Sequence, residues 1–141
     1  MSDDVFVKIN VQMLKTIDFN KDILGIERRT PGLQEPDEFK LSLHQLREEI
    51  DELELAYKHQ DFLGVLDALI DLEYFMYGVF WKCGIPEHLH SELFAAVHSA
   101  NMMKKRGVKA GREGYDAADA NKPESWTDPT LLFARILENG K

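Results

Sequence analysis

Thiols, cationic excess and strand-forming runs are what this sequence has least of. Only one of its 141 residues is a cysteine, Cys83. A single thiol excludes an internal disulfide and any zinc site built on several thiolates, and it suits a reducing, cytoplasmic setting. Basic residues number 17 against 25 acidic ones, a net charge of -8. That balance leaves no broad cationic footprint, so nucleic acid is excluded as a partner, and an anionic ligand would need a local cationic site or metal ions. With 9 Gly and 5 Pro beside 44% hydrophobic and 30% charged residues, the composition is that of a packed core rather than a disordered or fibrous chain. The length suits one domain spanning residues 1–141. No alternating run of Val, Ile or Thr and no internal repeat occurs. Residues 1–20 lack a continuous apolar stretch, so no signal peptide is expected. From Phe62 to Trp81 the chain is apolar enough to suggest a membrane span, but Asp67, Asp71 and Glu73 interrupt it. Each central Asp would cost roughly 2.5–3.5 kcal/mol on insertion, so the segment reads as a buried helix and no membrane partner is expected.

Helical periodicity covers most of what remains. Val5, Ile9, Met13 and Ile17 recur every fourth residue and predict an amphipathic helix ending before Asn20. Thr30, Pro31, Gly32 and Pro36 mark a loop over 28–37. A second helix is expected from about Glu38 to His59, with Leu43, Leu46, Ile50, Leu53 and Tyr57 as its stripe. The third, about Asp61 to Cys83, is apolar nearly all round, stops at Gly84 and belongs in the centre. Pro86 opens a fourth helix expected to run to about Arg106, and Asp128 and Pro129 start a short fifth one through about Glu138. Residues 107–126 between them read as a long loop. The expected architecture is all-α, a four-helix-type bundle with a short C-terminal helix. Phe75, Tyr77, Phe80 and Trp81 give the central helix more apolar surface than one small bundle covers, which predicts an oligomer, a homodimer or homotetramer.

Chemistry is concentrated on two of these helices. Glu48, Glu49 and Glu52 fall within a sector of roughly 100° on the second helix and form one acidic edge; alone, such an edge is commonly just a solvated face. Asp67 and Asp71, four apart on the apolar third helix, are harder to explain that way. They lie about 6 Å apart along the axis on one face, and like charges there oppose each other unless a cation is shared. No Lys or Arg occurs between Lys58 and Lys82. Either a distant Arg28, Arg29 or Arg112 pairs with them, or a metal ion does. Oxygen-only donors favour a hard cation, Mg²⁺ or Mn²⁺, of the kind that also binds substrate phosphates.

The blocks Glu48-Glu49-Ile50-Asp51-Glu52 and Asp67-Ala68-Leu69-Ile70-Asp71 resemble the acidic signature of the all-α nucleoside triphosphate pyrophosphohydrolases, the MazG-like and phosphoribosyl-ATP pyrophosphohydrolase-like enzymes. Tyr77-Gly78, the segment Val97-His98-Ser99-Ala100-Asn101-Met102-Met103-Lys104, and Gly111-Arg112 with Lys122-Pro123-Glu124-Ser125-Trp126 continue the likeness, the last in the style of phage and bacterial members. Two positions depart from it: Ala68 stands three before Asp71 where a Glu is common, and Ala96 stands where Glu often precedes Val-His. The resemblance implies cleavage of a (d)NTP substrate between its α and β phosphates, releasing a monophosphate and pyrophosphate, with dGTP or GTP one specific possibility among the family's substrates. It further implies Glu49, Glu52 and Asp71 as metal ligands, Asp67 completing the shell, and Glu48 as water activator or ligand of a further ion.

Asn101 and Lys104 share a helix face suited to phosphate oxygens, although a lysine in a last turn is also an ordinary partner of the helix dipole. Lys109, Arg112 and Lys122 could close over a triphosphate, and Tyr115 or Trp126 could stack on a base. His98 reads first as a structural histidine. Glu87-x-x-His90 would suit a di-iron carboxylate bundle, but the second Glu-x-x-His that such a site needs is missing from the sequence. The remaining alternative is a non-catalytic acidic helical interaction module, which leaves Asp67 and Asp71 unexplained.

Overall fold

The computed structural model describes residues 8–107, 109, 111, 112, 114 and 119–140. The chain falls into two compact units, Met1–His88 and Leu89–Lys141. Among the described residues there are five α-helices and one two-stranded ladder, so the fold is all-α.

In the first unit, α1 (Val11–Asp22) begins where Asn10 turns extended and its side-chain oxygen accepts the Met13 N–H at 3.1 Å. That cap displaces the expected start. Ile9 precedes the helix and is exposed, and Val5 lies outside the described residues. The helix also runs past its expected end. Asn20 is buried inside it and donates from Nδ2 to the Thr16 carbonyl at 2.9 Å, so the buried face is Met13, Thr16, Ile17 and Asn20.

The segment after α1 is tied to the rest of the unit by two side chains. Trp81 donates from its indole nitrogen to the Ile26 carbonyl at 2.8 Å and packs with Met13 and Ile17 as the core, flanked by Ile26, Tyr77 and Phe80. Arg29 makes a bidentate pair with Glu38 at 2.6 and 2.9 Å and donates to the Lys82 carbonyl at 3.1 Å, clamping the loop to two helices at once. The Arg29 hydrogen bonds, with a lesser one from Gln34, hold the Glu38 carboxyl down at about 2 despite its partial burial. A depressed carboxylate adds stability that is fully present above its unfolded value near 4.5 and is lost as pH falls toward 2. Glu38→Gln is therefore expected to cost about 1 kcal/mol at pH 7, the partial exposure of the pair discounting the full linkage. Urea titrations should show the deficit vanishing by pH 2–3; a pH-independent deficit would mean that packing, not charge, is what the variant lost.

Pro36 opens α2 (Pro36–Lys58), with Asp37 and Glu38 in its first turn. Gln60, at φ 55, closes the turn, and Asp61 caps α3 (Phe62–Lys82) through the Gly64 N–H at 3.0 Å. Past the end of α3, Gly84 sits at φ 79, and a Cβ there would lie 2.6 Å from the Thr30 backbone, so only glycine fits. α3 packs against both α1 and α2 and is the central element of its unit. It is not buried all round, however. Trp81 is buried and Phe75, Tyr77 and Phe80 are half-buried within the chain, whereas Leu66, Leu69, Ile70 and Met76 are exposed. No helix of the described residues is long and apolar enough to cross a membrane.

α4 (Glu87–Met102) follows Pro86 and stops short of the expected Arg106. Its last turn is closed by a side chain far along the chain, because the Trp126 indole N–H donates to the Ala100 carbonyl at 2.8 Å. The backbone then leaves the helix, and β1 (Lys105–Arg106) pairs antiparallel with β2 (Ala120–Asn121). The expected loop therefore holds a two-residue ladder. α5 (Thr130–Asn139) begins one residue later than expected: Pro129, not Asp128, is the N-cap, and Asp128 lies just outside, its carboxylate accepting from the Thr130 N–H at 2.9 Å and the Thr130 hydroxyl at 2.8 Å.

Candidate active site

Helix spacing brings four carboxylates of the first unit together. Glu49 and Glu52 are three apart on α2, Asp67 and Asp71 four apart on α3, and these two helices pack on each other. Their mutual influence is visible in Glu49. Burial, the charges of Glu52 and Asp71, a hydrogen bond with Glu52 and the charge of Asp67 push its carboxyl up to about 7. Asp71 is raised for the same kinds of reason: burial first, then the charges of Asp67 and Glu52. Among the described residues no ion pair involves any of the four.

Two of the three arginines that might have neutralised them are engaged elsewhere, Arg29 on Glu38 and Arg112 on Asp119 at 3.1 Å, and Arg28 makes no ion pair with any of the four among the described residues. One oxygen of Glu49, Oε2, is buried with no hydrogen-bond partner. A buried, partnerless carboxylate oxygen among like charges lacks a cation, and an all-oxygen donor set fits a hard divalent one. Among the described residues no three His, Cys, Asp or Glu side chains are drawn into a closed metal cluster.

Ala68, at the position three before Asp71, is 1% exposed, on the packed side of α3. Asp67 is instead the α3 carboxylate that acts on both Glu49 and Asp71. Glu48 is not drawn into this group. Its carboxylate points along α2 to His44 Nε2 at 3.0 Å, with both side chains exposed.

The cations named from the sequence gather in the second unit. Lys122 Nζ lies 4.3 Å and Lys104 Nζ 5.7 Å from the centroid of the Trp126 ring, whose indole N–H is fixed on Ala100. Arg112 pairs with Asp119, and Lys109 contributes to holding the Asp119 carboxyl low, after the Ala120 N–H and Arg112. Asn101 is exposed at the end of α4. Tyr115 lies outside the described residues.

A cleft of about 160 Å³ opens between α1, α2 and α3, lined by Asn20, Ser42, Gln45, Tyr74, Phe75 and Gly78 among others. Gln45 precedes Glu49 by one helical turn and Phe75 follows Asp71 by one, so this cleft adjoins the carboxylates along both helices. A larger hollow of about 300 Å³ beside the α2–α3 turn is lined by Tyr57, Gln60, Asp61, Phe62 and Val65 and holds none of the four. Of the two, the smaller cleft is the one that adjoins the carboxylates.

The family model of phosphoribosyl-ATP pyrophosphohydrolase matches residues 18–101, more than half of the chain. The chain belongs to this family. The family is part of the MazG-like all-α NTP pyrophosphohydrolase superfamily. No curated protein matches the chain. The matched stretch takes in the end of α1, all of α2 and α3, and α4 as far as Asn101, so it contains Glu48, Glu49, Glu52, Asp67 and Asp71. Lys104, Lys109, Arg112, Lys122 and Trp126 lie beyond it.

Sequence reading missed the polar lining of the cleft. Asn20 carried a signal, since it continues the Met13, Ile17 register by one more turn. An amide in an apolar register is informative when it has no structural partner.

Proposed function

We propose that this chain is a divalent-metal-dependent nucleoside triphosphate pyrophosphohydrolase that splits a (d)NTP between its α and β phosphates. The observation that carries this reading is the carboxylate group on α2 and α3 with its partnerless buried Glu49 oxygen, inside the stretch that matches a pyrophosphohydrolase family. Glu49, Glu52 and Asp71, with Asp67 beside them, would hold Mg²⁺ or Mn²⁺. When bound, such an ion neutralises phosphate charge and makes the phosphorus accessible to attack.

The chain's own residues supply the rest. Glu48, next to Glu49 in the chain though turned to His44 in this structure, would swing toward the group to accept a proton from the attacking water or to hold a further ion. The new P–O bond forms at the α-phosphorus, the bond to the α–β bridging oxygen breaks, and that oxygen leaves as part of pyrophosphate. Lys104 and Lys122, gathered on Trp126, with Asn101, Lys109 and Arg112, are the chain's groups for phosphate oxygens. With two ammonium groups engaging its ring, Trp126 serves these cations rather than stacking on a base. The exposed Leu66, Leu69 and Ile70 of α3 suit coverage by a second copy in a dimer or tetramer. The phage-like closing segment favours dGTP or GTP as substrate.

The test is a panel of NTPs and dNTPs with Mg²⁺ or Mn²⁺, products separated by ion exchange. Monophosphate with pyrophosphate is the expected outcome. Release of inorganic phosphate and a diphosphate would place the cut at the β–γ bond instead, and no turnover of any nucleotide by the folded, metal-supplied protein would favour the acidic interaction module.

A further inference from the structure

Asn20 is 3% exposed, and its side chain is half used. Nδ2 is committed to the Thr16 carbonyl at 2.9 Å, which fixes the amide's orientation and turns Oδ1 the other way. That oxygen is buried and accepts no hydrogen bond. Buried polar atoms almost always have partners, and one left without is a standing cost unless something visits it.

The oxygen's surroundings show from where. Asn20 and Gly78 both line the α1–α2–α3 cleft, and a Cβ built at position 78 would lie 3.4 Å from Asn20 Nδ2 and 3.7 Å from Oδ1. Gly78 sits inside a regular helix at no unusual backbone angle. Its missing side chain therefore answers no turn requirement; without it, no Cβ at 78 stands between the cleft and the amide of Asn20, a buried group that both residues' place in the cleft lining brings to its wall. The walls are those of a site for a flat, edge-polar ring: Phe19, Tyr74 and Phe75 are aromatic, and Ser42 and Gln45 are polar. At about 160 Å³ the space would hold several waters or, in their place, a planar heterocycle.

Position along the helices relates this cleft to the carboxylates. Gln45 is four residues before Glu49 and Phe75 four after Asp71, a displacement of about 6 Å on both helices. A heterocycle and a phosphate group separated by one sugar span a comparable distance. On the reading that the carboxylates serve a nucleotide's phosphates, we infer that this cleft takes the nucleobase edge-on and that Asn20 Oδ1 accepts a hydrogen bond from an N–H of the base. Asn20 is then a specificity-determining residue, and the substrate class is nucleotides whose base presents an N–H donor at its edge. A base without one leaves the buried acceptor unpaired, the situation in which sites built to hydrogen-bond discriminate most strongly.

The experiment compares the best natural nucleotide from the panel with purine riboside triphosphate, whose base has no N–H. Steady-state kcat/KM is measured with Mn²⁺, and calorimetric Kd is measured with the α,β-imido analogues of the same two nucleotides, so that binding is read without turnover. Wild type is expected to favour the natural base at least about tenfold in both measures. Asn20→Leu, which keeps volume and removes the acceptor, should bring the ratio below about threefold by weakening the natural base. Because Asn20 is buried, Gly78→Ala provides the second arm. Its Cβ meets Asn20 at ordinary contact distance, so the fold should survive with unchanged Tm while Kd rises about tenfold for the natural base.

A wild-type ratio under threefold, an Asn20→Leu protein that folds and keeps the discrimination, or a folded Gly78→Ala protein that binds as wild type does would each overturn the inference. If turnover to monophosphate and pyrophosphate persists in those cases, only the base site is lost. If wild type neither binds nor hydrolyses any nucleotide, the pyrophosphohydrolase reading falls with it.

Discussion

Glu49→Gln is expected to cut hydrolysis at least about a hundredfold and, in the same protein, to raise the melting temperature of the metal-free form at pH 8. The first half follows from its place in the carboxylate group, since loss of a group that merely orients a metal ligand already costs about 10–100-fold. The second half follows from what its neighbours do to it. Burial and the charges of Glu52, Asp71 and Asp67 move its carboxyl from 4.5 up to about 7 in the folded chain. Between those values the folded protein holds a proton that the unfolded chain has released, so stability falls as pH rises through this window and the penalty is complete above 7. Asp71, also raised by burial and by its acidic neighbours, adds a slope of the same sign. A glutamine has no charge to be penalised, so the variant should gain over wild type at pH 8 and converge with it below about pH 4.5. Thermal melts in chelator from pH 4 to 8, beside single-turnover assays, measure both halves. A variant that is inactive but equally destabilised at every pH would show that Glu49 is held by packing; one that is active would remove it from the site.

How far the sequence reaches can be judged residue by residue. Helix ends written in local chemistry are partly legible: Gly84 stands as a stop where its residue type puts it, whereas Pro36, which reads as a loop residue, opens α2 two residues before the expected Glu38, and Asp61 caps α3 from outside instead of beginning it. The acidic positions are legible because i, i+3 and i, i+4 spacing fixes a face without tertiary information. Ends decided by distant partners are not. α4 ends where Trp126, 26 residues further along, reaches the Ala100 carbonyl, and β1 exists only because residues 120 and 121 return to it. The extension of α1 past Asn20 has the same origin, since an amide that reads as a breaker is buried against Thr16 and Gly78. That hidden residue lines the cleft, so the misplaced helix end and the missed site are one error. Surface apolarity was misassigned among the aromatics of α3 for a related reason. Tyr77, Phe80 and Trp81 are taken up by α1 and the loop after it, and the exposed apolar residues lie on other faces of the helix.

Removing divalent cations is expected to abolish turnover, and restoring them should stabilise the fold by an amount that depends on pH. The four carboxylates have no ion-pair partner among the described residues, so a bound cation does two things: it adds binding free energy to the folded state alone, and it relieves their repulsion. At a hundredfold excess over Kd the first effect is about 2.7 kcal/mol, which in a chain of this size corresponds to a rise in Tm of roughly 8 °C. The gain must grow from pH 5 to pH 8, because at the lower pH a cation competes with the proton that Glu49 retains up to about 7. In Glu49→Gln combined with Asp71→Asn, the rise should shrink to a degree or two at every pH. Melts with Mg²⁺ or Mn²⁺ against sodium chloride of equal ionic strength separate a site from general screening, which weakens repulsion between any exposed charges and needs no particular residue. If sodium chloride matches the divalent ions in wild type, or the double variant responds as wild type does, the carboxylates are an acidic surface and not a metal site. A divalent-specific, pH-rising gain that disappears with those two residues would tie the proton on Glu49, the missing counter-charge and the requirement for a cation to the same four side chains.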